Sequence, residues 1–177
     1  MHTDISGCQS RSYRNHQPGK GMKISAAGLS MIKQFEGLRL TAYKDVAGFP
    51  TIGYGHLLEP GENYPDGITE EQATALLEAD VQNAELCVTR LVKVALTQGQ
   101  FDALVDFVFN LGALRLGQST LLKYLNAGRY QDAGDQLLRW DYAGGKIQPG
   151  LLARRQSEAA LWKGSSAAPD QSLMATG

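Results

Sequence analysis

The chain has 177 residues and no apolar run of 18, the shortest that reads as a bilayer-spanning helix, so no stable membrane insertion is expected. Its first thirty residues lack a basic stretch followed by an apolar one, so no secretory signal is readable. Cysteine is scarce: Cys8 stands in a polar leader and Cys87 in a helical pattern. Their positions suggest no disulfide framework, so reduced thiols are expected, with Cys87 a small core residue. His2, His16 and His56 are scattered. No histidine or cysteine cluster has metal-ligand spacing, so neither a metal nor another cofactor is expected. Net charge is −1, which argues against bulk nucleic-acid binding.

What is present suits one globular domain, or two small lobes, with a proper core: 43% of residues are hydrophobic and 20% charged. Residues 1–21 are polar and aperiodic and read as a disordered leader. Met22 followed by Lys23-Ile24-Ser25 looks like a natural beginning, so the leader is an upstream extension, a tag scar or a misassigned start. Residues 22–163 form the structured part, and 164–177 read as a flexible tail.

Within the structured part, Leu29, Ile32 and Phe35 mark a first helix over about Ser25 to Glu36. A small antiparallel sheet is expected over Leu38 to Leu58, then a turn-rich loop to Gly67. Thr69-Glu-Glu-Gln72 and Thr97-Gln-Gly-Gln100 are capping boxes. The first opens a long helix with Ala73, Leu76, Leu77, Val81, Ala84, Val88 and Leu91 on one face, suited to join a sheet lobe to a helical lobe. The second opens a helix apolar nearly all round, hence buried, which Gly112 ends. Short helices follow over Ser119 to Asn126 and Tyr130 to Trp140. Gly144-Gly145 reads as a loop, and the last helix spans Leu151 to Trp162. Five basic residues in this final stretch, Arg139, Lys146, Arg154, Arg155 and Lys163, face two acidic ones, Asp141 and Glu158. Such a surplus suits an anionic surface as well as an ordinary solvated helix.

The chemistry concentrates between Glu36 and Thr51. Glu36 falls at the end of the first helix, on the face of Leu29 and Ile32, with Gly37 beyond to stop the helix. The negative helix end and apolar neighbours both oppose ionisation there, which makes a carboxyl able to donate a proton. Leu38 to Tyr43 alternates like a half-buried strand, Lys44 to Gly48 makes a hairpin loop, and Pro50 starts an edge strand. Asp45 in that loop should be better solvated and ionised. The Thr51 hydroxyl, on the return strand, could face Asp45 and hold a water. Two carboxyls in such unlike surroundings are what glycoside hydrolysis uses.

Glu36, then Asp45 after eight residues and Thr51 after five more, resembles the catalytic triad of phage-type lysozymes, the endolysins. The flanking Phe35-Glu36-Gly37, Ala42-Tyr43-x-Asp45 and Pro50-Thr51-Ile52-Gly53-Tyr54-Gly55-His56 agree. So do Gln98-x-Gln100-Phe101-Asp102-Ala103-Leu104, Phe109-Asn110-x-Gly112 and Gly150-Leu151-x-x-Arg154-Arg155-x-x-Glu158. The resemblance covers about Lys23 to Trp162. It implies an α+β, lysozyme-like fold: a small antiparallel sheet lobe and a helical lobe joined by a long helix, with an active-site cleft between.

It further implies hydrolysis of the β-1,4 bond between N-acetylmuramic acid and N-acetylglucosamine in peptidoglycan, for host-cell lysis by a phage or prophage. Glu36 would be the acid, and Asp45 with Thr51 would position water. The implied stereochemistry is inversion, which requires carboxyls about 6.5–9.5 Å apart rather than the roughly 5–5.5 Å of retention. By the same resemblance an arginine of the last helix, Arg154 or Arg155, approaches Glu36, where it would favour the carboxylate against burial and dipole. Asn110 could reach an N-acetyl group or cap its own helix, and His56 could line the cleft or bond the adjacent loop. The expected protein is a monomer in the host cytoplasm that acts on the periplasmic wall once a holin-type lesion releases it. Two rivals share this sequence. A lytic transglycosylase would use one carboxyl and leave an anhydro end, and a wall-binding module would keep the cleft without the chemistry.

Overall fold

The structure, a computed structural model, describes residues 21–45 and 47–164. Apart from Gly21 and Gly164, the leader and the tail lie outside them. The first helix, α1, is Ala26–Glu36, with Ser25 as N-cap accepting the Gly28 N–H. Two carboxylates strap the segment before it to the helices behind. Glu85 takes Lys23 Nζ at 2.7 Å and the Ile24 N–H at 2.8 Å. Asp102 takes the Ser25 N–H at 2.9 Å and its hydroxyl.

Strands β1 (Arg39–Lys44), β2 (Pro50–Gly53) and β3 (His56–Leu57) form an antiparallel sheet in that order. Pro50 therefore begins the middle strand, not an edge strand. It is tolerated as a first residue, where its missing N–H breaks no ladder, and its carbonyl still accepts Leu58 N–H at 2.9 Å. Strand β1 is not half-buried either. It is an edge strand, met on its far side by the Ile68 N–H, which donates to the Leu40 carbonyl at 2.8 Å, and Leu40 remains 42% exposed. The buried strand is β2, with Thr51, Ile52 and Gly53 inward.

Helix α2 (Glu70–Leu91) starts at the Thr69 capping box. Its inward face, Ala73, Leu77, Val81, Ala84, Cys87 and Val88, meets β2 at one end and the helical region at the other. Helix α3 (Gln98–Leu111), opened by the Thr97 box, buries every residue from Gly99 to Val108 and is the centre of the core. Gly112 (φ 88°) ends it.

A short helix α4 (Ala113–Gly117), not expected from the pattern, precedes α5 (Thr120–Asn126) and α6 (Tyr130–Leu137). Helix α6 stops before Trp140, whose ring stands edge-on to Phe107 at 5.2 Å. The Gly144-Gly145 loop is the two-residue turn of a hairpin, β4 (Tyr142–Ala143) and β5 (Lys146–Ile147), both glycines having positive φ as such a turn requires. Helix α7 (Pro149–Gly164) then packs between α3, α6 and α1.

Candidate active site

Glu36 is the last residue of α1, and the Gly37 N–H closes the helix onto the Lys33 carbonyl at 3.1 Å. One turn earlier Ile32 is fully buried, so the Glu36 side chain leaves the core edge and is 23% exposed. Arg154 Nη1 donates to Glu36 Oε1 at 2.7 Å. The rest of that guanidinium is engaged by Asp106, with Nε at 2.9 Å from Oδ2 and Nη2 at 2.7 Å from Oδ1. This fork against a carboxylate fixes the plane of the arginine and leaves one N–H aimed at Glu36. Burial works against the Arg154 charge, but Asp106 and Glu36 outweigh it and hold the guanidinium protonated.

Of the two candidate arginines, Arg154 is therefore the one at Glu36. Arg155 points elsewhere: its Nη2 donates to Glu158 Oε1 at 2.5 Å and to Asn110 Oδ1 at 3.2 Å. Asn110 thus neither caps its helix with that oxygen nor stands alone. Both arginines are buried, at 4% and 0% exposure. Arg154, Arg155 and Glu158 are internal, so of the charges counted over residues 139–163 the surface keeps Arg139, Lys146 and Lys163 against the half-buried Asp141.

Asp45 and Thr51 sit on the β1–β2 hairpin. The Asp45 N–H donates to the Phe49 carbonyl at 2.9 Å, while its Oδ1 accepts the N–H of Ala47 at 2.9 Å and of Phe49 at 2.8 Å. The carboxylate thus builds its own loop. Thr51 is 1% exposed, and its hydroxyl donates to the Phe49 carbonyl at 3.1 Å. The expected hydroxyl facing Asp45 with a water gives way to a link through Phe49, whose N–H donates to the Asp45 carboxylate and whose C=O accepts both the Asp45 N–H and the Thr51 hydroxyl. The strand pleat explains this. Thr51 lies opposite Tyr43 and Leu57 on the middle strand, where the sheet covers it.

His56 is a clamp. Its Nδ1 lies 3.0 Å from the Asp80 carboxylate on α2 and its Nε2 3.1 Å from Glu62 in the following loop. Burial would lower its pKa, but Asp80 first and then Glu62 outweigh this, and the net shift is upward.

Sequence reasoning missed Asp106 and gave Glu158 no role. The signal was available: an acidic residue inside a helix that is apolar all round needs a buried cation, and α7 offers two adjacent arginines. Glu36 is a partly exposed carboxyl held by a guanidinium, and Asp45 is a second carboxyl, on a turn. That suits acid–base chemistry. Among the described residues no group of three or more histidine, cysteine, aspartate or glutamate side chains is arranged to hold a metal ion, and no helix is long and apolar enough to cross a membrane.

Comparison with known proteins bears on what such a site does. A family model described as phage lysozyme matches residues 33–158, which include Glu36, Asp45, Thr51 and Arg154. The chain is 49% identical over 144 residues to the endolysin of Bacillus phage B103, covering 80% of this chain and 54% of that one. It therefore spans about half the length of that relative. It is 43% identical over 144 residues to the endolysin of Salmonella phage P22, covering 80% of this chain and 98% of that one. A crystal structure of a P22 lysozyme point mutant superposes with a TM-score of 0.75 at 40% identity, covering 81% of this chain and 99% of that one.

Proposed function

The chain belongs to the phage lysozyme family, and from that premise we propose that it is an endolysin-type glycoside hydrolase. It cleaves the β-1,4 bond between N-acetylmuramic acid and N-acetylglucosamine in bacterial peptidoglycan. The observation that carries this reading is the Glu36 carboxyl, set at a helix end, partly exposed and gripped by a single N–H of a buried arginine. Glu36 gives its proton to the leaving glycosidic oxygen. The carboxylate left behind is met by the Arg154 charge, so the group that must become negative during the step already has its counter-ion.

Asp45 is the base. Its Oδ1 is spent on the loop, and Oδ2 takes a proton from water as the water oxygen bonds to the anomeric carbon. Thr51 supports Asp45 by fixing the Phe49 peptide from the other side. Water attacks the face opposite the leaving group, and the product inverts. The protein acts as a monomer made in the host cytoplasm, and a holin-type lesion lets it reach the wall.

Digestion of purified peptidoglycan tests this. Mass spectrometry separates a hydrolysed muramic acid end from an anhydro end, which is one water lighter. Proton NMR of a fresh digest gives the anomer. A hydrolysed end appearing first as the α-anomer is expected. An anhydro end identifies a transglycosylase, a β-anomer removes inversion, and binding without cleavage identifies a wall-binding module.

A further inference from the structure

Behind Glu36 lies a buried cluster with more acids than bases. Glu36, Asp106 and Glu158 form one contiguous network with Arg154 and Arg155. Glu158, Asp106 and Arg155 have fully buried side chains. A buried charge without a counter-charge is costly, and two guanidinium ions can match at most two carboxylates, so at least one of the three carboxyls keeps a proton.

The geometry says which one. Asp106 receives three N–H···O contacts from Arg154, with Arg155 Nη2 3.8 Å from its Oδ2. Glu158 receives one, from Arg155 to Oε1, and as a carboxylate its buried Oε2 has no donor. As a carboxylic acid it needs none, and its proton has an acceptor in Asp106, the neighbouring carboxylate that flanks the same Arg155 Nη2. The charged groups facing Glu158 are Asp106 from α3 and Arg154 and Arg155 from its own helix, with Glu36 of α1 beyond Arg154. Burial first and the Asp106 charge second push the Glu158 carboxyl up, while Arg154 outweighs burial and holds Asp106 down.

We propose that Glu158 is a positioning residue for the reaction, one that holds a proton throughout turnover and donates it to Asp106. This rests on the lysozyme reading of Glu36. With Glu158 neutral, Asp106 stays fully bound to Arg154, and the cluster is one charge positive while Glu36 carries its proton. Transfer of that proton to the leaving oxygen brings the cluster to neutrality, so the buried charge favours the donation step. Were Glu158 ionised, the cluster would already be neutral and that incentive would be gone.

Three measurements test it. Glu158→Gln keeps an acceptor for Arg155 and an N–H for Asp106, so kcat and the alkaline limb of its pH profile should match wild type. Glu158→Met supplies neither, and Arg155 then turns onto Asp106 and loosens its hold on Arg154. The freed arginine favours the Glu36 carboxylate, so the limb should move to lower pH by roughly half a unit or more, with KM little changed. In the wild type, carbon-13 NMR of the Glu158 carboxyl should report the protonated form from pH 5 to 7, whatever the variants do. A displaced limb in Glu158→Gln, an ionised Glu158 signal, or a Glu158→Met enzyme that loses only stability would each overturn the proposal. Wild-type turnover in the same assay tests the lysozyme reading separately, since without it there is no limb to move.

Discussion

Replacing Arg154 with Met asks how much of the fold hangs on the group that grips Glu36. The side chain is 5% exposed, Asp106 is fully buried and Glu36 is 23% exposed. Removing one partner of a buried pair costs about 3–5 kcal/mol, because the other charge is left unmatched. The lower end applies here. Arg155 Nη2 already stands 3.8 Å from Asp106 and can approach it, and Glu36 can hydrate, so its lost pair adds roughly 1 kcal/mol or less. A loss of about 3 kcal/mol lowers Tm by about 6–12 °C in a domain of this size. Urea unfolding across pH gives the sharper check. Burial would raise the Asp106 pKa, but Arg154 outweighs it and the folded value lies below the usual range. The stability it brings is therefore present above the unfolded value, near 4, and is lost as pH falls through the folded one. The gap between wild type and Arg154→Met should be full at pH 7 and narrow below pH 4, with Arg154→Lys in between because the ammonium lacks the fork. A loss under about 1 kcal/mol at pH 7, or a gap that widens in acid, would refute the reasoning.

Glu36→Gln keeps shape but cannot donate a proton, so turnover on peptidoglycan should fall by about 10²–10⁴ with the melting curve little changed; wild-type rates would end the assignment of the acid. Thr51→Val removes a buried hydroxyl that donates to the Phe49 carbonyl, at a cost of about 1–2 kcal/mol. Asp45 then loses its support, and kcat should drop tenfold or more; an unchanged kcat would make the hydroxyl purely structural. His56→Gln should show a pH-dependent deficit in urea. Because the folded pKa is raised, the stability from its carboxylate partners is complete below the unfolded value, near 6.5, and disappears as pH climbs through the folded one. An equal deficit at pH 5 and pH 9 would show that the imidazole charge is irrelevant.

The features legible in the sequence are those set by neighbours in the chain. Both capping boxes form as written, because each needs only residues three apart. The apolar face of α2 and the all-round burial of α3 follow from periodicity, and Glu36 falls at the end of α1 because Gly37 stops it. What was illegible depends on distant partners. Arg154 and Arg155 are adjacent on one helix and identical in type, and only the packing of α7 between α1 and α3 aims the first at Glu36 and the second at Glu158. The order of strands hid the exposure of β1 in the same way. The close approaches of α1 to α3 and of α6 to α7 rest on Gly28 and Gly134, where a Cβ would meet Asp102 at 2.8 Å and Trp162 at 2.7 Å. Neither glycine is marked as a packing position by the residues beside it, Ala27 and Leu29 or Ala133 and Asp135.

The two aspartates of α3 show how distant contacts turn a legible residue into a working one. Asp102 and Asp106 are one turn apart on a helix with no solvent face, so each must find a buried partner. Asp102 holds the N-terminus of α1 through Ser25. Asp106 holds its C-terminus through Arg154, the bridge to Glu36. An 11-residue helix such as α1 is about 16 Å long, while residues four apart rise only about 6 Å. Asp106 therefore cannot reach the end of α1 by itself, and a long, rigid cation from a third helix has to cover the difference. That requirement makes arginine at position 154 a mechanical part of α1 as well as a charge beside Glu36. A helix fixed at both ends also keeps the Glu36 carboxyl in one place, as the role of acid proposed for it requires.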